Sequence, residues 1–228
     1  MSQTTKSPQP EGKQQICAIL LAAGRSRRMG AFKPLLPFGN LTVVESCVDY
    51  LQRGGIERII VVVGHRGKEV QHELRHRTVF FAVNDDPSSP MAVSIARGVE
   101  RVPPTADAVL IALSDQPAVP ADAVSAVTTQ WRKGSKIIKP EFASQGGHPV
   151  LIDLIYRSEL LNLPPEGGLK SFFSSHFKDV CRLPINSRLI VRDIDTWDDY
   201  LALHQDCFGF VPRLEPGQRP NEKGPAVI

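Results

Sequence analysis

Three stretches of the chain are apolar without a break, and each is bounded by polar or glycine-containing sequence. They are "ICAILLA" from Ile16, "RIIVVVG" from Arg58 and "DAVLIALSD" from Asp107. Strands buried on both faces of a parallel sheet read this way, because neither face meets water. Between the first two, Val43, Val44, Cys47, Val48 and Leu51 recur at helical spacing, and Gly54-Gly55 closes the helix. "GKEVQHELRHR" from Gly67 is amphipathic and leads into a short strand, "TVFFAVN", from Thr78. "MAVSIARGVERV" from Met91 predicts a helix, as does "PADAVSAVTTQWRKG", with Pro120 at its start and Gly134 past its end. From about 136 to 195 the pattern is less regular, with short strands "HPVLI" and "RLIV" and two helices. The resulting order, β-α-β-α-β-α-β-α, predicts a three-layer α/β/α, Rossmann-like domain with a mostly parallel sheet.

That domain is expected to span residues 15–208. The polar, proline-containing residues 1–14 and the Pro/Gly-rich residues 209–228 read as disordered tails. Composition changes this picture little. The chain of 228 residues is 42% apolar and 22% charged, as globular domains are, and its net charge of +3 argues for neither a nucleic-acid nor a membrane partner. No apolar run approaches the roughly 20 residues of a membrane span, and the N-terminus has no apolar secretory core. The four cysteines, Cys17, Cys47, Cys181 and Cys207, show no zinc or C-x-x-C spacing. Reduced, buried thiols in a cytoplasmic protein are expected.

In open α/β sheets, ligands sit outside the carboxyl ends of the strands. Four segments fall there: residues 22–33, 64–67, 84–91 and 114–117. The first is the most informative. "LLAAGRSRRMGAFK", Leu20 to Lys33, places bare backbone at Ala22, Ala23 and Gly24 directly after a strand, followed by several cations. Small residues let N–H groups approach a phosphate, Arg28 offers a planar fork and Lys33 a compact charge. Such a set suits a triphosphate under attack at its α-phosphorus. It is neither a P-loop nor the dinucleotide fingerprint, since Gly24 and Gly30 stand six apart. A basic surface loop is the plain alternative.

The pattern L-A-A-G-x-S-x-R-M-G-x-x-K, filled by Leu21, Ala22, Ala23, Gly24, Ser26, Arg28, Met29, Gly30 and Lys33, resembles the signature of the MobA-like nucleotidyltransferases. The resemblance continues through "LLPFGN", "VVVGH", "LSDQPAV", "GGHPVLI" and "DIDTWDDY", over roughly residues 16–205. Within the superfamily, A-A-G and the D-Q-P and G-H-P-V-L blocks are most similar to the MocA-type molybdenum cofactor cytidylyltransferases. The resemblance implies a fold of the nucleotide-diphospho-sugar transferase type. It also implies a reaction in which an acceptor phosphate attacks an NTP, CTP favoured, and releases pyrophosphate, with Mg²⁺ as cofactor. The acceptor it implies is molybdopterin or a related form, with a molybdenum hydroxylase apoenzyme as eventual partner.

Roles follow by resemblance. Leu21, Ala22, Ala23 and Gly24 would hold base and ribose, joined by Asn84 and Ser94 from "NDDPSSPMAVS". Arg28 and Lys33 would be catalytic, and Asp115 and Asp195 would hold the metal. Asp115 also reads as a turn or cap residue before Pro117, Asp195 as a helix cap, and Asp193 competes with Asp195. His148, Glu166 and Lys170 would face the acceptor, His148 from a tight, exposed turn. Three departures stand out. Pro90 occupies a position usually held by glycine, "PPEGGLKSFF" replaces the family's G-D-x-G-A-R, and Trp197 stands where proline is usual. Arg-to-Lys at Lys170 gives up bidentate phosphate recognition. Other readings stay open: a GTP-using enzyme, a sugar- or alcohol-phosphate nucleotidyltransferase, or a non-catalytic cofactor carrier.

Overall fold

A computed structural model describes residues 14–26, 28–86 and 88–214. The first apolar run forms β1 (Ile16–Ala22), and a short hairpin of β2 (Pro37–Phe38) and β3 (Leu41–Thr42) precedes α1 (Val43–Arg53). Then follow β4 (Arg58–Val63), α2 (Gly67–Glu73), β5 (Phe80–Val83), α3 (Met91–Glu100), β6 (Ala108–Leu113) and α4 (Ala121–Arg132). The remainder holds β7 (Ile137–Phe142), β8 (Gln145–Gly146), β9 (Val150–Asp153), α5 (Arg157–Leu161), α6 (Gly168–Ser175), β10 (Val180–Pro184) and α7 (Trp197–Phe208). Helix starts follow local chemistry. Thr42 and Glu45 form a capping box on α1, and Thr196 and Asp199 form a second on α7, while Pro120 precedes α4 without a capping hydrogen bond.

The main sheet runs β10-β7-β9-β6-β1-β4-β5, with β8 paired to β7. β1 pairs in parallel with both β4 and β6, β4 with β5, and β7 with β10. β9 alone is antiparallel to both its neighbours on this path. The order reverses direction at β1, which makes the space beyond its carboxyl end the switch point where ligands bind.

β1 shows why its apolar run is continuous. Ala18, Leu20 and Ala22 pack into the layer with α1 and α4, while Cys17, Ile19, Leu21 and Ala23 pack into the layer with α3, α5 and α6. A third, smaller cluster joins Met29, Leu36, Phe38 and Val43 to Ile194, Tyr200 and Leu203. Through it α7 straps the loop after β1 and the β2–β3 hairpin. The Tyr200 hydroxyl donates to the Pro37 carbonyl at 2.5 Å, and Trp197 Nε1 donates to the Met29 carbonyl at 2.9 Å.

Two expectations from the sequence are corrected here. "RLIV" is not a strand. Arg188–Val191 forms a 3-10 turn started by the Ser187 side chain, which accepts from Leu189 N–H. The apolar spacing serves packing, because Ile190 is fully buried and its carbonyl accepts from His148 N–H. Cys207, in the last turn of α7, is exposed and Cys181 is half-buried, unlike the buried Cys17 and Cys47. The tail assignments for residues 1–13 and 215–228 lie outside the described residues. Of the C-terminal stretch, Leu214 packs on the third cluster and the Phe210 carbonyl contacts His204 Nδ1 at 2.7 Å.

Helix α3 lies close on the sheet because Gly98 faces Ile19, where a Cβ would sit 2.5 Å from Ile19 Cγ2. Gly98→Ala is therefore expected to destabilise the fold by about 1–3 kcal/mol through overpacking, read as a lower denaturant midpoint at unchanged slope.

Candidate active site

The loop leaving β1 is built to lay backbone along a cleft. Gly24 has open space around its Cα, and Ser26 takes a left-handed φ of 53°. The Ser26 carbonyl accepts from Met29 and Gly30 N–H, and its Oγ accepts from Lys33 N–H at 3.1 Å. A non-glycine residue held in that region is strained, and the turn it makes carries Lys33 back toward the sheet. Gly64, at the end of β4, buttresses the loop. A Cβ there would come within 3.1 Å of the Ala23 carbonyl and 2.9 Å of the Asn84 carbonyl.

Lys33 is 8% exposed, and its ammonium lies 2.9 Å from Asp195 Oδ1 and 3.8 Å from Asp115 Oδ2. Arg28 reaches the other oxygen, Asp195 Oδ2, at 2.7 Å, with its side chain largely in solvent. Asp115 follows β6, and its carbonyl accepts from Ile194 N–H at 3.0 Å, which joins the two acidic segments. Asp193 turns elsewhere, accepting from Gln116 Nε2 at 2.5 Å. Neither Asp115 nor Asp195 is spent as a helix cap, since Thr196 caps α7.

The electrostatics of the pair are opposed. Hydrogen bonding from Lys33, with the charges of Lys33 and Arg28 adding, holds Asp195 below the usual carboxylate range. Burial raises Asp115; Lys33 opposes this, while Asp193 and Asp195 add to it. The cluster is thus short of positive charge at Asp115. Two hard carboxylates converging on one ammonium form a donor set that fits a divalent cation, with phosphate and water oxygens completing the shell. Among the described residues no group of three or more His, Cys, Asp or Glu forms a protein-only metal site.

Beside this cluster lies a cleft of about 240 Å³ lined by Ala23, Gly24, Asn84, Ser94, Ser114 and Asp115, among others. Leu21 lines it too, and Ala22 is buried in the layer behind. Asn84 is buried, and its amide donates to Ser94 Oγ at 2.9 Å and Ser89 Oγ at 2.8 Å, which fixes the loop before α3. Pro90 sits at φ −59° as the residue preceding α3, so it ends the loop in helix-ready geometry.

A second cavity, about 670 Å³, adjoins the first through Met91, which lines both. His148 and Lys170 line it, but Glu166 does not. Glu166 is exposed, ahead of the left-handed Gly167 that turns the chain into α6. His148 does not stand on an exposed turn. It is half-buried beside the buried Gly147, where a Cβ would overlap the Ile190 carbonyl oxygen. Burial, with Lys139 adding, pushes its pKa down to about 4, so the ring is neutral near pH 7.

Two residues of this region escaped the sequence reading. Gln116 is buried and holds Asp193, and Trp197 pins α7 to the signature loop. "DQP" and the proline-to-Trp departure marked both positions, but neither reveals its partner before the chain is folded.

A mostly parallel sheet with a small-residue loop, a lysine and two aspartates at its switch point defines a nucleotidyltransferase. The model of the MobA-like NTP transferase domain matches residues 18–180, and the chain belongs to that family. Curated relatives include nicotine blue oxidoreductase of Paenarthrobacter nicotinovorans, 30% identical over 60% of this chain and 71% of that one. The molybdenum cofactor cytidylyltransferase of Escherichia coli K12 is 24% identical over 82% and 94%. Among solved structures, Rv0371c of Mycobacterium tuberculosis H37Rv superposes with a TM-score of 0.77 at 28% identity, covering 84% of this chain and 98% of that one. A second structure of Rv0371c is a complex with manganese (TM-score 0.73, 26% identity, 84% and 98% covered). Among the described residues, no helix is long and apolar enough to cross a membrane.

Asp115 is raised in the fold, so the folded state holds its proton more tightly than the unfolded chain, and stability falls as pH rises from the ordinary carboxylate value, 3.8, through the raised one. Asp115→Asn is expected to melt higher than the wild type at pH 7. The gap should close as pH drops to where Asp115 is protonated in both states. Added Mn²⁺ should raise the wild-type melting temperature more than that of the variant.

Proposed function

We propose that the protein is a cytoplasmic cytidylyltransferase that moves CMP from CTP to a phosphorylated acceptor, of which molybdopterin or the molybdenum cofactor is favoured. The observation that carries this reading is the Lys33 ammonium set between Asp195 and Asp115 beside a bare-backbone cleft. The A-A-G form of the loop and a relative named as a molybdenum cofactor cytidylyltransferase support the choice of CTP and acceptor.

In the reaction an acceptor phosphate oxygen forms a bond to the α-phosphorus. The bond from the α-phosphorus to the oxygen that bridges it to the β-phosphorus breaks, and its electron pair leaves on that oxygen as part of pyrophosphate. An acceptor phosphate is already a nucleophile near neutral pH, so no protein base is required, and alignment with charge neutralisation carries the rate. The backbone of residues 21–24, with Asn84 and Ser94, holds base and ribose. Lys33 and Arg28 turn from Asp195 to the triphosphate, where their charge meets charge growing on the phosphate oxygens. Asp115 and Asp195 hold the divalent cation, read as Mg²⁺. When bound, it neutralises phosphate charge and helps fix the triphosphate. His148 and Lys170 face the acceptor. Glu166 belongs to this side as well, as a carboxylate at the mouth of the bay. A molybdenum hydroxylase apoenzyme is the partner that would receive the product.

One relative carries the name of an oxidoreductase. What separates the two chemistries in this chain is its charge set. Hydride transfer has no need of Lys33, Arg28, Asp115 and Asp195 gathered at one strand end.

With molybdopterin, Mg²⁺ and each of the four NTPs, CTP should release pyrophosphate, and Lys33→Ala should lower kcat by about 10²–10³ with the protein still folded. Reduced nicotinamide dinucleotides should not be oxidised. Release with GTP would move the protein to guanylyl transfer. Nucleotide binding with no release for any acceptor would leave a carrier.

A further inference from the structure

The 670 Å³ bay beside the first cleft is lined by the apolar Met91, Phe173 and Phe177 and by three cations, Lys139, Lys170 and Arg182. Its three cations are not equivalent. Arg182 is committed to Glu141, with which it forms a short ion pair. Lys170 is exposed at the first turn of α6. Lys139 is half-buried on β7, and among the described residues no carboxylate lies within ion-pair distance of it. Its ammonium lies over the Phe173 ring, 5.8 Å from the centroid.

The neighbouring turn is shaped around that side chain. Gly146 pairs with Glu141 across the β7–β8 ladder, and a Cβ on Gly146 would overlap Cε and Nζ of Lys139. Glycine at 146 therefore leaves room for the end of the lysine side chain, which a Cβ there would displace. His148, the next polar group, carries no charge near neutral pH and adds only a neutral hydrogen-bonding ring.

We propose that Lys139 is the residue that binds the acceptor's phosphate, receiving an anionic phosphomonoester in the bay beside the nucleotide cleft, with Gly146 keeping room for its stem. The inference rests on the transferase reading, which makes this bay the acceptor's. A partly desolvated ammonium without a counter-ion gains most when a ligand supplies the anion. Phe173, Phe177 and Met91 give the body of the acceptor an apolar wall, while the lysine fixes its charged end. The position also suits the transfer, because Met91 is common to both cavities and the phosphate would face the nucleotide.

Phenyl phosphate tests this without any transfer step. Its affinity for the full chain is measured by calorimetry for wild type, Lys139→Met, Lys139→Arg and Gly146→Ala, with phenol as neutral control and melting temperature as the check on folding. Lys139→Met should weaken phenyl phosphate by about 10-fold or more, the loss of one charge-assisted bond, and leave phenol unchanged. Lys139→Arg should stay within about 3-fold of wild type. Gly146→Ala should weaken binding several-fold with the lysine still present, because the added methyl displaces its stem. The proposal is overturned if wild type does not bind phenyl phosphate, or if the folded Lys139→Met variant binds it as wild type does. These outcomes are separable from the transferase reading. Lys139-dependent binding without pyrophosphate release would sink that reading and keep this site, and release with no effect of Lys139→Met would do the reverse.

Discussion

A lysine ammonium almost removed from water, held against two carboxylates that lie 80 residues apart in the chain, sets the terms for the rest of this fold. Isolated, the Lys33 charge would be costly to bury. Asp195 meets it at 2.9 Å and Asp115 at 3.8 Å, so three segments must converge at one point: the loop after β1, the end of β6 and the start of α7. The parallel register of β1 with β6 brings the first two together. The third arrives because α7 is strapped across the signature loop by Trp197 and Tyr200. Neither contact is chemical in the reaction, yet both decide where Asp195 stands.

The cluster is balanced for a resting state and unbalanced for a working one. Asp195 is satisfied by Lys33 and Arg28, whereas Asp115 sits in a cluster still rich in carboxylate charge. On the proposed reading, a divalent cation held by Asp115 and Asp195 would relieve that excess and leave Lys33 and Arg28 to a triphosphate. Metal and nucleotide would then each make room, electrostatically, for the other. The proposed acceptor bay would obey a related logic at lower charge density, with Lys139 half-buried, without a carboxylate partner among the described residues, beside a neutral His148.

The sequence was most legible where one physical rule acts alone. The runs at Ile16, Arg58 and Asp107 became the three central strands because continuous burial on two faces leaves few other solutions. The signature loop and Asp115 fell at strand ends, where parallel sheets place ligands. Legibility dropped where tertiary contacts override pattern. "RLIV" has strand composition, yet it forms a 3-10 turn whose Ile190 fills the core and whose carbonyl ties His148. The role of Trp197 is not legible in the sequence, because its partner, the Met29 carbonyl, is 168 residues away. The reversed β9 and the absence of Glu166 from the lining of the bay follow from connections that no local pattern encodes.

Coupling between cation and nucleotide is the central claim, and free Mn²⁺ measured by electron paramagnetic resonance tests it most directly. Mn²⁺ is titrated into the protein alone and with a CTP analogue that cannot be cleaved at the α-phosphorus, after correction for binding to the analogue itself. The account predicts weak binding to the protein alone, tightened by about 10-fold or more when the analogue is present, with the same factor appearing in the analogue's affinity when Mn²⁺ is added. Equal Mn²⁺ affinity with and without the analogue would contradict it. So would coupling that survives unchanged in Asp115→Asn.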